Sequence, residues 1–356
     1  MLPQEGELTH MKAVSIIGAT GYVGLELTRL LAQHPGVQLS HLVSQSYTGK
    51  KFSDVYPSLR GICDKECSEM NLDKIADESD IVITALPHGI SKDVIPVLFD
   101  KGIRVIDHSG DFRFRDTANY EFWYQTHHGM PALNQHAVYG LPEMYRTELC
   151  GARLVGNPGC YPTCSVLALA PLVHAKAIDC HSIIINASSG YTGAGRKADT
   201  AYSFCESDSN YKAYGVGFHR HTGEIEQEIS FLAGEGITLS FTPHLMPVKR
   251  GMLATIHAKL SGSYETQELL RICQEYYKDE YFIRVLPEGC LPEIKNVTGS
   301  NFLDMGLIAD KRTQSVTVLS AIDNLMKGAA GQAVQVLNLM TGQDEKTGLT
   351  APALYL

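Results

Sequence analysis

What this chain lacks narrows its function before any motif is read. No apolar run approaches the roughly 20 residues that a membrane-crossing helix needs, so no membrane partner is expected. There is no surplus of positive charge: 30 Lys and Arg stand against 39 Asp and Glu, a formal net charge of −9. That balance argues against nucleic acid or an anionic membrane as the main partner, though a local basic pocket can still take a small anion. The nine cysteines are odd in number and follow no framework spacing. They read as reduced thiols of a cytoplasmic protein. Cys63 and Cys67 lie four apart without companion ligands, and His127, His128 and His136 have no cysteine or acid at a recognisable spacing. No metal site is expected. No internal repeat or low-complexity block interrupts the chain. Residues 1–10 hold Glu5 and Glu7 and no apolar centre, unlike a signal peptide; they read as a disordered extension before a second possible start at Met11.

What is present suits a globular chain of about two domains: 356 residues, 44% hydrophobic and 19% charged. Lys12 to Ile17 is apolar and β-branched, a buried-strand signal. It runs into Gly18-Ala19-Thr20-Gly21-Tyr22-Val23-Gly24, after which Val23, Leu27, Leu30 and Leu31 mark one face of a helix. Glycine lets backbone approach a pyrophosphate, and the helix N-terminus faces it. The spacing is G-x-x-G-x-x-G rather than G-x-G-x-x-G, and a βα turn that binds nothing has the same look. Val37 to Val43 reads as the second strand, ending in Ser44-Gln45-Ser46 with Lys50 and Lys51 beyond. No carboxylate stands there to repel a 2′-phosphate, which favours NADP over NAD.

Asp80 to Leu86 and Arg104 to Asp107 read as further strands. They end in Pro87-His88-Gly89 and in His108-Ser109-Gly110-Asp111-Phe112-Arg113. Strands alternating with helices imply a doubly wound parallel sheet, with ligands at the carboxyl ends of its strands. Tyr120 to Tyr145 is aromatic and reads as loop. Ala152 to Val155 is another short strand, followed by Gly156-Asn157-Pro158-Gly159-Cys160-Tyr161-Pro162-Thr163. Cys160 stands where a helix should begin, in a field that favours thiolate, and Pro162 suits a first helical turn. A structural cysteine packed at a helix end fits the same pattern.

The second half differs in character. His181 to Ala187 reads as a strand that leads into a glycine-rich turn ending in Arg196 and Lys197, suited to an anion. His219-Arg220-His221-Thr222-Gly223-Glu224 opens a helix that Thr222 can cap. Ile237–Phe241 and Met252–Leu260 read as strands joined by the segment 242–251. Leu269, Ile272, Cys273 and Tyr276 mark an amphipathic helix, and Asp304–Ala309 with Ser315–Ala321 form a hairpin. A last helix, to about Met340, is expected to return to the first domain. The fold class is α/β: a Rossmann-type doubly wound sheet plus an inserted α+β domain. A pyrophosphate turn, a helix-start thiol and a histidine pair suggest one chemistry. A thiolate attacks an acyl carbon, a nicotinamide exchanges hydride, and a histidine moves the proton.

Together, Gly18 to Gly24, Gly156 to Thr163, Ser189 to Lys197, His219 to Gln227, Phe241 to Leu245 and Asp323 to Gln332 resemble the N-acetyl-gamma-glutamyl-phosphate reductases over residues 12–340. The resemblance implies Cys160 as nucleophile and His219 as acid/base. It implies NADPH-dependent reduction of N-acetylglutamyl phosphate to the semialdehyde with release of phosphate. It divides the chain into an NADP-binding domain, 11–157 with 325–356, and a catalytic and oligomerisation domain, 158–324, in a homodimer or homotetramer. The expected NADP(H) contacts are Gly18, Thr20, Gly21, Tyr22, Val23, Gly24, Ser44, Ser46, Pro87, His88, Gly89, Ser189, Gly190 and Asn324. The small acyl phosphate is expected at Arg113, Arg196 and Lys197, on charge and strand-end placement, with Ser109, His221 and Glu224. Gly223 departs from the proline usual in the family and is expected to loosen the segment between His221 and Glu224. Aspartate-semialdehyde dehydrogenase would use identical chemistry on a different substrate. A reductase for a carrier-linked acyl phosphate should carry a basic docking face, which this acidic chain does not advertise. A non-catalytic NADP sensor should have lost Cys160 or the histidines, and the S-C-T-T-N stretch of glyceraldehyde-phosphate-type enzymes is absent.

Overall fold

A computed structural model describes residues 11–355; the extension expected at residues 1–10 lies outside the described residues. Seven strands form the first sheet: β1 (Lys12–Ile17), β2 (Val37–Val43), β3 (Cys67–Ser68), β4 (Ile81–Thr84), β5 (Arg104–Asp107), β6 (Ala137–Tyr139) and β7 (Leu154–Gly156). Their order is β3-β2-β1-β4-β5-β7-β6 and every pairing is parallel. Chain direction reverses across the sheet at β1, between β2 and β4, so a crevice opens at their carboxyl ends. The strands read as continuous apolar runs because helices cover both faces. Within the segment read as loop, Thr117–Tyr124 is a helix and Ala137–Tyr139 an edge strand. At three residues, β6 is too short to leave a periodic signal.

The second sheet holds β8 (Ile178–Gly190), β9 (Lys212–Ala213), β10 (Ser240–Met246), β11 (Met252–Leu260), β12 (Ile283–Val285), β13 (Leu303–Asp310) and β14 (Ser315–Ile322), in the order β12-β13-β14-β11-β8-β10-β9. Its directions are mixed: β10 runs parallel to β8, whereas β11 pairs antiparallel with both β8 and β14. β10 lies further along the chain than its sequence indicated. Pro243, which cannot donate to a ladder, argues against a strand there. The strand forms because Phe241, Pro243 and Leu245 alternate inward onto the core, and its outer neighbour β9 is only two residues long.

Helix Cys160–His174 lies between the two halves. Tyr161 to Val173 are all buried, the pattern of a helix enclosed on every side. It packs on β8, β11 and β14 and on helix His221–Ala233, within one hydrophobic cluster that reaches from β1 to β14. The last helix, Gly331–Thr341, packs against helices Tyr22–Leu31 and Pro142–Cys150. It is preceded by a π-helical turn, Met326–Ala330. No helix among the described residues is long and apolar enough to cross a membrane.

Two buried ionic links hold the halves together. Arg250, just before β11, reaches Glu26 on helix Tyr22–Leu31 at 3.1 Å and Asp323 at 3.0 Å. Burial would raise the Glu26 carboxyl, but Arg29 and Arg250 outweigh it and hold Glu26 below the usual range. In the π-helical turn, Lys327 is fully buried and donates to Glu143 at 2.6 Å and to Gln335 at 2.8 Å.

His221–Ala233 is helical from its first residue, so the segment from His221 to Glu224 is not a loose loop. Thr222 lies inside the first turn with its hydroxyl buried and unpartnered, so it does not cap. Gly223 packs under the indole of Trp123, the only tryptophan, and a Cβ there would overlap the ring.

Removing Lys327 strands Glu143 as a lone buried charge. Lys327→Met is expected to cost about 3–5 kcal/mol, and the double variant with Glu143→Gln to recover part of it, measured by urea unfolding. Gly223→Ala is expected to cost about 1–3 kcal/mol through overpacking and to shift the emission of Trp123, read by fluorescence.

Candidate active site

Between the carboxyl ends of the first sheet and the second sheet lies a cleft of about 650 Å³. One wall is the glycine turn. Gly18 has φ +87° and sits so close to β4 that a Cβ would overlap Ala85 O. A Cβ at Gly24 would overlap Gly18 O, so helix Tyr22–Leu31 packs directly on its own turn. Gly21 is the extended N-cap, with no side chain capping the helix and open space around it. The three glycines thus divide tight turn, ligand approach and close packing in the way a dinucleotide site requires, despite their unusual spacing. The turn fits a pyrophosphate.

Gly21, Tyr22, Val23, Gly24, Pro87, His88, Ser189 and Asn324 all line the cleft. At the end of β2, Ser44 and Thr20 share a hydroxyl hydrogen bond of 2.7 Å, and Ser46 is exposed. Gly89 and Gly190 do not line it. Gly89 N–H donates to both Asp111 carboxylate oxygens. Gly190 is buried against Lys249 O and donates to Gly251 O. Both shape backbone rather than face a ligand.

Cys160 opens its helix behind the uncapped, extended Gly159. The expected preference for thiolate does not hold in this state. Burial pushes the thiol up to about 12, although Arg113 and the Tyr161 N–H pull the other way. Gly328 of the π-helical turn backs the cysteine, where a Cβ would stand 2.7 Å from Cys160 Cβ.

Arg113 is 8% exposed and lines the cleft. Its Nη1 donates to Glu224 at 3.2 Å and its Nη2 to His108 O at 2.9 Å, while Nε is buried and unpartnered. Glu224 has no exposed surface and faces no ligand. Its Oε1 accepts from Gly159 N–H at 2.8 Å and from Tyr139 OH at 2.7 Å. It positions the residue before the thiol rather than contacting substrate. Ser109 is spent in the same sense: its hydroxyl donates to the buried Asp107 and accepts from Asp111 N–H.

The ring of His221 lies against Gly159, where a Cβ would overlap it, and its Nε2 stands 3.5 Å from Arg113 Nη1. Burial, then His219 and the nearby arginines, hold it well below the ordinary histidine value. His219 meets Tyr161, Tyr214 and Phe241 edge-on at centroid distances of 5.6, 5.3 and 5.5 Å, with His221 at 4.9 Å. Its Nδ1 accepts from His221 N–H at 3.2 Å, so its neutral form carries the ring proton on Nε2. Burial and Arg220 lower it to about 4. His219, His221, Arg113 and Cys160 share the cleft. Lys197 lines it too, with no carboxylate partner among the described residues. Arg196 also lines the cleft, but its hydrogen bonds go to Thr20 O and Tyr56 OH, on the dinucleotide side.

Sequence reasoning left other lining residues unassigned. Arg220 donates to His88 Nδ1 at 2.7 Å and lies over the Tyr124 ring. Its position between two singled-out histidines was the available signal. His108 keeps a buried, unpartnered Nε2 and is held at about 3 by burial and Arg113. It stands at a strand end that had been marked. Tyr139 carried no signal, because its bond to Glu224 spans 85 residues.

Two family models divide the chain: "Semialdehyde dehydrogenase, NAD binding domain" matches residues 13–152 and "Semialdehyde dehydrogenase, dimerisation domain" matches 160–324. The N-acetyl-gamma-glutamyl-phosphate reductase of Acetivibrio thermocellus is 59% identical over 97% of this chain and 100% of its own. That of Pelotomaculum thermopropionicum is 52% identical over 96% and 99%. Among solved structures, aspartate semialdehyde dehydrogenase II of Vibrio cholerae, complexed with ASA, superposes with a TM-score of 0.71 at 17% identity, covering 94% of this chain and 99% of its own. The Candida albicans aspartate semialdehyde dehydrogenase with NADP gives 0.68 at 16% identity, covering 95% and 99%. At that identity the likeness is one of fold. The protein is a nicotinamide-dinucleotide oxidoreductase with a dimerisation domain. On its near full-length likeness to the reductases, the chain belongs to the N-acetyl-gamma-glutamyl-phosphate reductase family.

Proposed function

We propose that this protein reduces N-acetyl-L-glutamyl 5-phosphate, with NADPH, to N-acetyl-L-glutamate 5-semialdehyde and phosphate, in arginine biosynthesis. The reaction runs through a thioester on Cys160. The observation that carries the reading is a thiol at an open helix start, facing the same cleft as the glycine turn and flanked by Arg113, His219 and His221. We place the enzyme in the cytoplasm, as a homodimer or homotetramer assembled through residues 158–324, with 11–157 and 325–356 as the NADP-binding domain.

In the resting site the thiol is protonated and the imidazoles are neutral. Deprotonation is therefore concerted with attack rather than completed beforehand. Cys160 Sγ forms a bond to the acyl carbon while the carbon–oxygen bond to phosphate breaks. His219 takes the thiol proton and passes it to the departing phosphate. To accept at Nε2, His219 must carry its ring proton on Nδ1. The 3.2 Å contact from His221 N–H then has to yield, so proton uptake moves the start of the helix His221–Ala233. Arg113, whose Nε lacks a partner, and Lys197 supply positive charge for the phosphate or carboxylate. Backbone N–H groups at the start of Cys160–His174 face the developing oxyanion. When bound, the reduced nicotinamide supplies the hydride that takes the acyl carbon to the aldehyde level. Sulfur then leaves as thiolate and is reprotonated.

Cys160→Ser is expected to lower turnover at least about a thousandfold while dinucleotide binding, titrated separately, stays intact. In the reverse direction, phosphate-dependent NADP reduction should prefer N-acetylglutamate semialdehyde; preference for aspartate semialdehyde would overturn the substrate assignment. Stability should also report the buried imidazoles. His219 titrates at about 4 and His108 at about 3 in the native protein, against about 6.5 in an unfolded chain. The unfolded state therefore binds protons first, and stability that is full above about pH 6.5 is lost as pH falls towards 4. Melting temperatures between pH 7.5 and 4.5 should drop, and His219→Asn should flatten the drop.

A further inference from the structure

We infer that Arg196, contributed by the second half of the chain, completes the site for the 2′-phosphate of the dinucleotide on the first half. This rests on the NADP reading above. The expectation from charge alone was that Arg196 meets substrate. Its surroundings point to the ribose end of the cofactor instead. Its Nη1 donates to Thr20 O at 3.1 Å and to Tyr56 OH at 3.0 Å. Thr20 is in turn bonded to Ser44 at the end of β2, where the strand end of a Rossmann-type sheet meets the ribose hydroxyls.

Three observations make this an anion site rather than a surface contact. The Arg196 guanidinium lies over two tyrosine rings, Tyr47 at 5.4 Å and Tyr56 at 5.0 Å, so its plane is supported on aromatic faces. Lys50 stands 5.8 Å from the same Tyr47 ring. Among the described residues neither cation has a carboxylate within ion-pair distance, although most other Arg and Lys ion pairs in the protein find one. Two cations gathered on one ring without an acid repel each other, and a dianionic phosphate monoester relieves that repulsion. Both hydrogen bonds of Arg196 use Nη1. Nη2 and Nε stay available in the fork geometry that matches phosphate oxygens. Ser44 and the exposed Ser46 add hydroxyls at the same strand end.

The arrangement carries a functional link. Arg196 ends the turn that follows β8, and Ser189, Gly193 and Ala194 of that turn line the reaction cleft. One phosphate group on the cofactor would therefore tie the turn from the second half onto the dinucleotide wall.

The test is equilibrium binding of NADPH and of NADH to wild type and to Arg196→Gln, followed by nicotinamide fluorescence, with no turnover required. Arg196 is exposed, so the variant should fold as wild type. Arg196→Gln is expected to weaken NADPH about 10- to 100-fold, the loss of charge-assisted hydrogen bonds to a phosphate, and to leave NADH within about twofold. Equal weakening of both would assign Arg196 to the pyrophosphate and overturn the inference. An unchanged NADPH preference in the variant would overturn it alone, leaving the NADP reading intact. Equal binding of the two cofactors by wild type would overturn the NADP reading and this inference with it.

Discussion

One buried carboxylate governs the geometry of the cleft. Glu224 sits in the first turn of helix His221–Ala233, where the field of the helix start favours negative charge. Three partners converge on it from separate parts of the chain: Arg113 beyond β5, Tyr139 at the end of β6, and the N–H of Gly159 before the thiol. A charge with no exposed surface is tolerable only when its acceptor sites are filled. Filling them brings together three strand ends and the start of a helix from the second half. The positive group that faces substrate and the backbone that carries the nucleophile therefore share one anchor. Tyr139 can serve because burial and Glu224 push its phenol far above the ordinary range, which keeps it a donor.

The chain showed its fold through short-range pattern and hid its site chemistry in long-range packing. β1, β2, β5 and β11 are apolar runs whose bounds can be read off directly, and each ends at chemistry. β10 was displaced because proline speaks against a ladder, whereas alternation against a filled core decides the matter. Thr222 looked like a cap, but the backbone turns helical one residue earlier and His219 Nδ1 takes the first N–H. The thiol was misread for a physical reason. The helix-start field is visible in sequence, but the extent of burial is not, and here desolvation is the larger effect. Arg196 was legible as an anion-binding cation; which anion depended on Thr20 and Tyr56, more than a hundred residues away.

The two sheets meet without a flexible linker. Arg250 joins Glu26 to Asp323, and Asp323 also accepts the N–H of Leu325 and Met326, where the chain turns back towards the first sheet. The link that crosses between the halves thus also starts the returning segment. Electrostatics and connectivity reinforce each other at this crossing, which keeps the cleft walls in register.

The π-helical turn at Met326–Ala330 carries a lesson about descent. Such a turn holds one residue more than an α-helical turn of the same height. The extra residue sets Gly328 behind Cys160 and, one place earlier, points Lys327 to Glu143 and Gln335. Deleting any single residue between 324 and 331 would rotate everything after it by about 100° about the helix axis. Gly328 and Lys327 would then lose their partners together. This stretch should accordingly accept substitutions more readily than changes of length, and a relative with a gap here would have had to rebuild the wall behind its nucleophile.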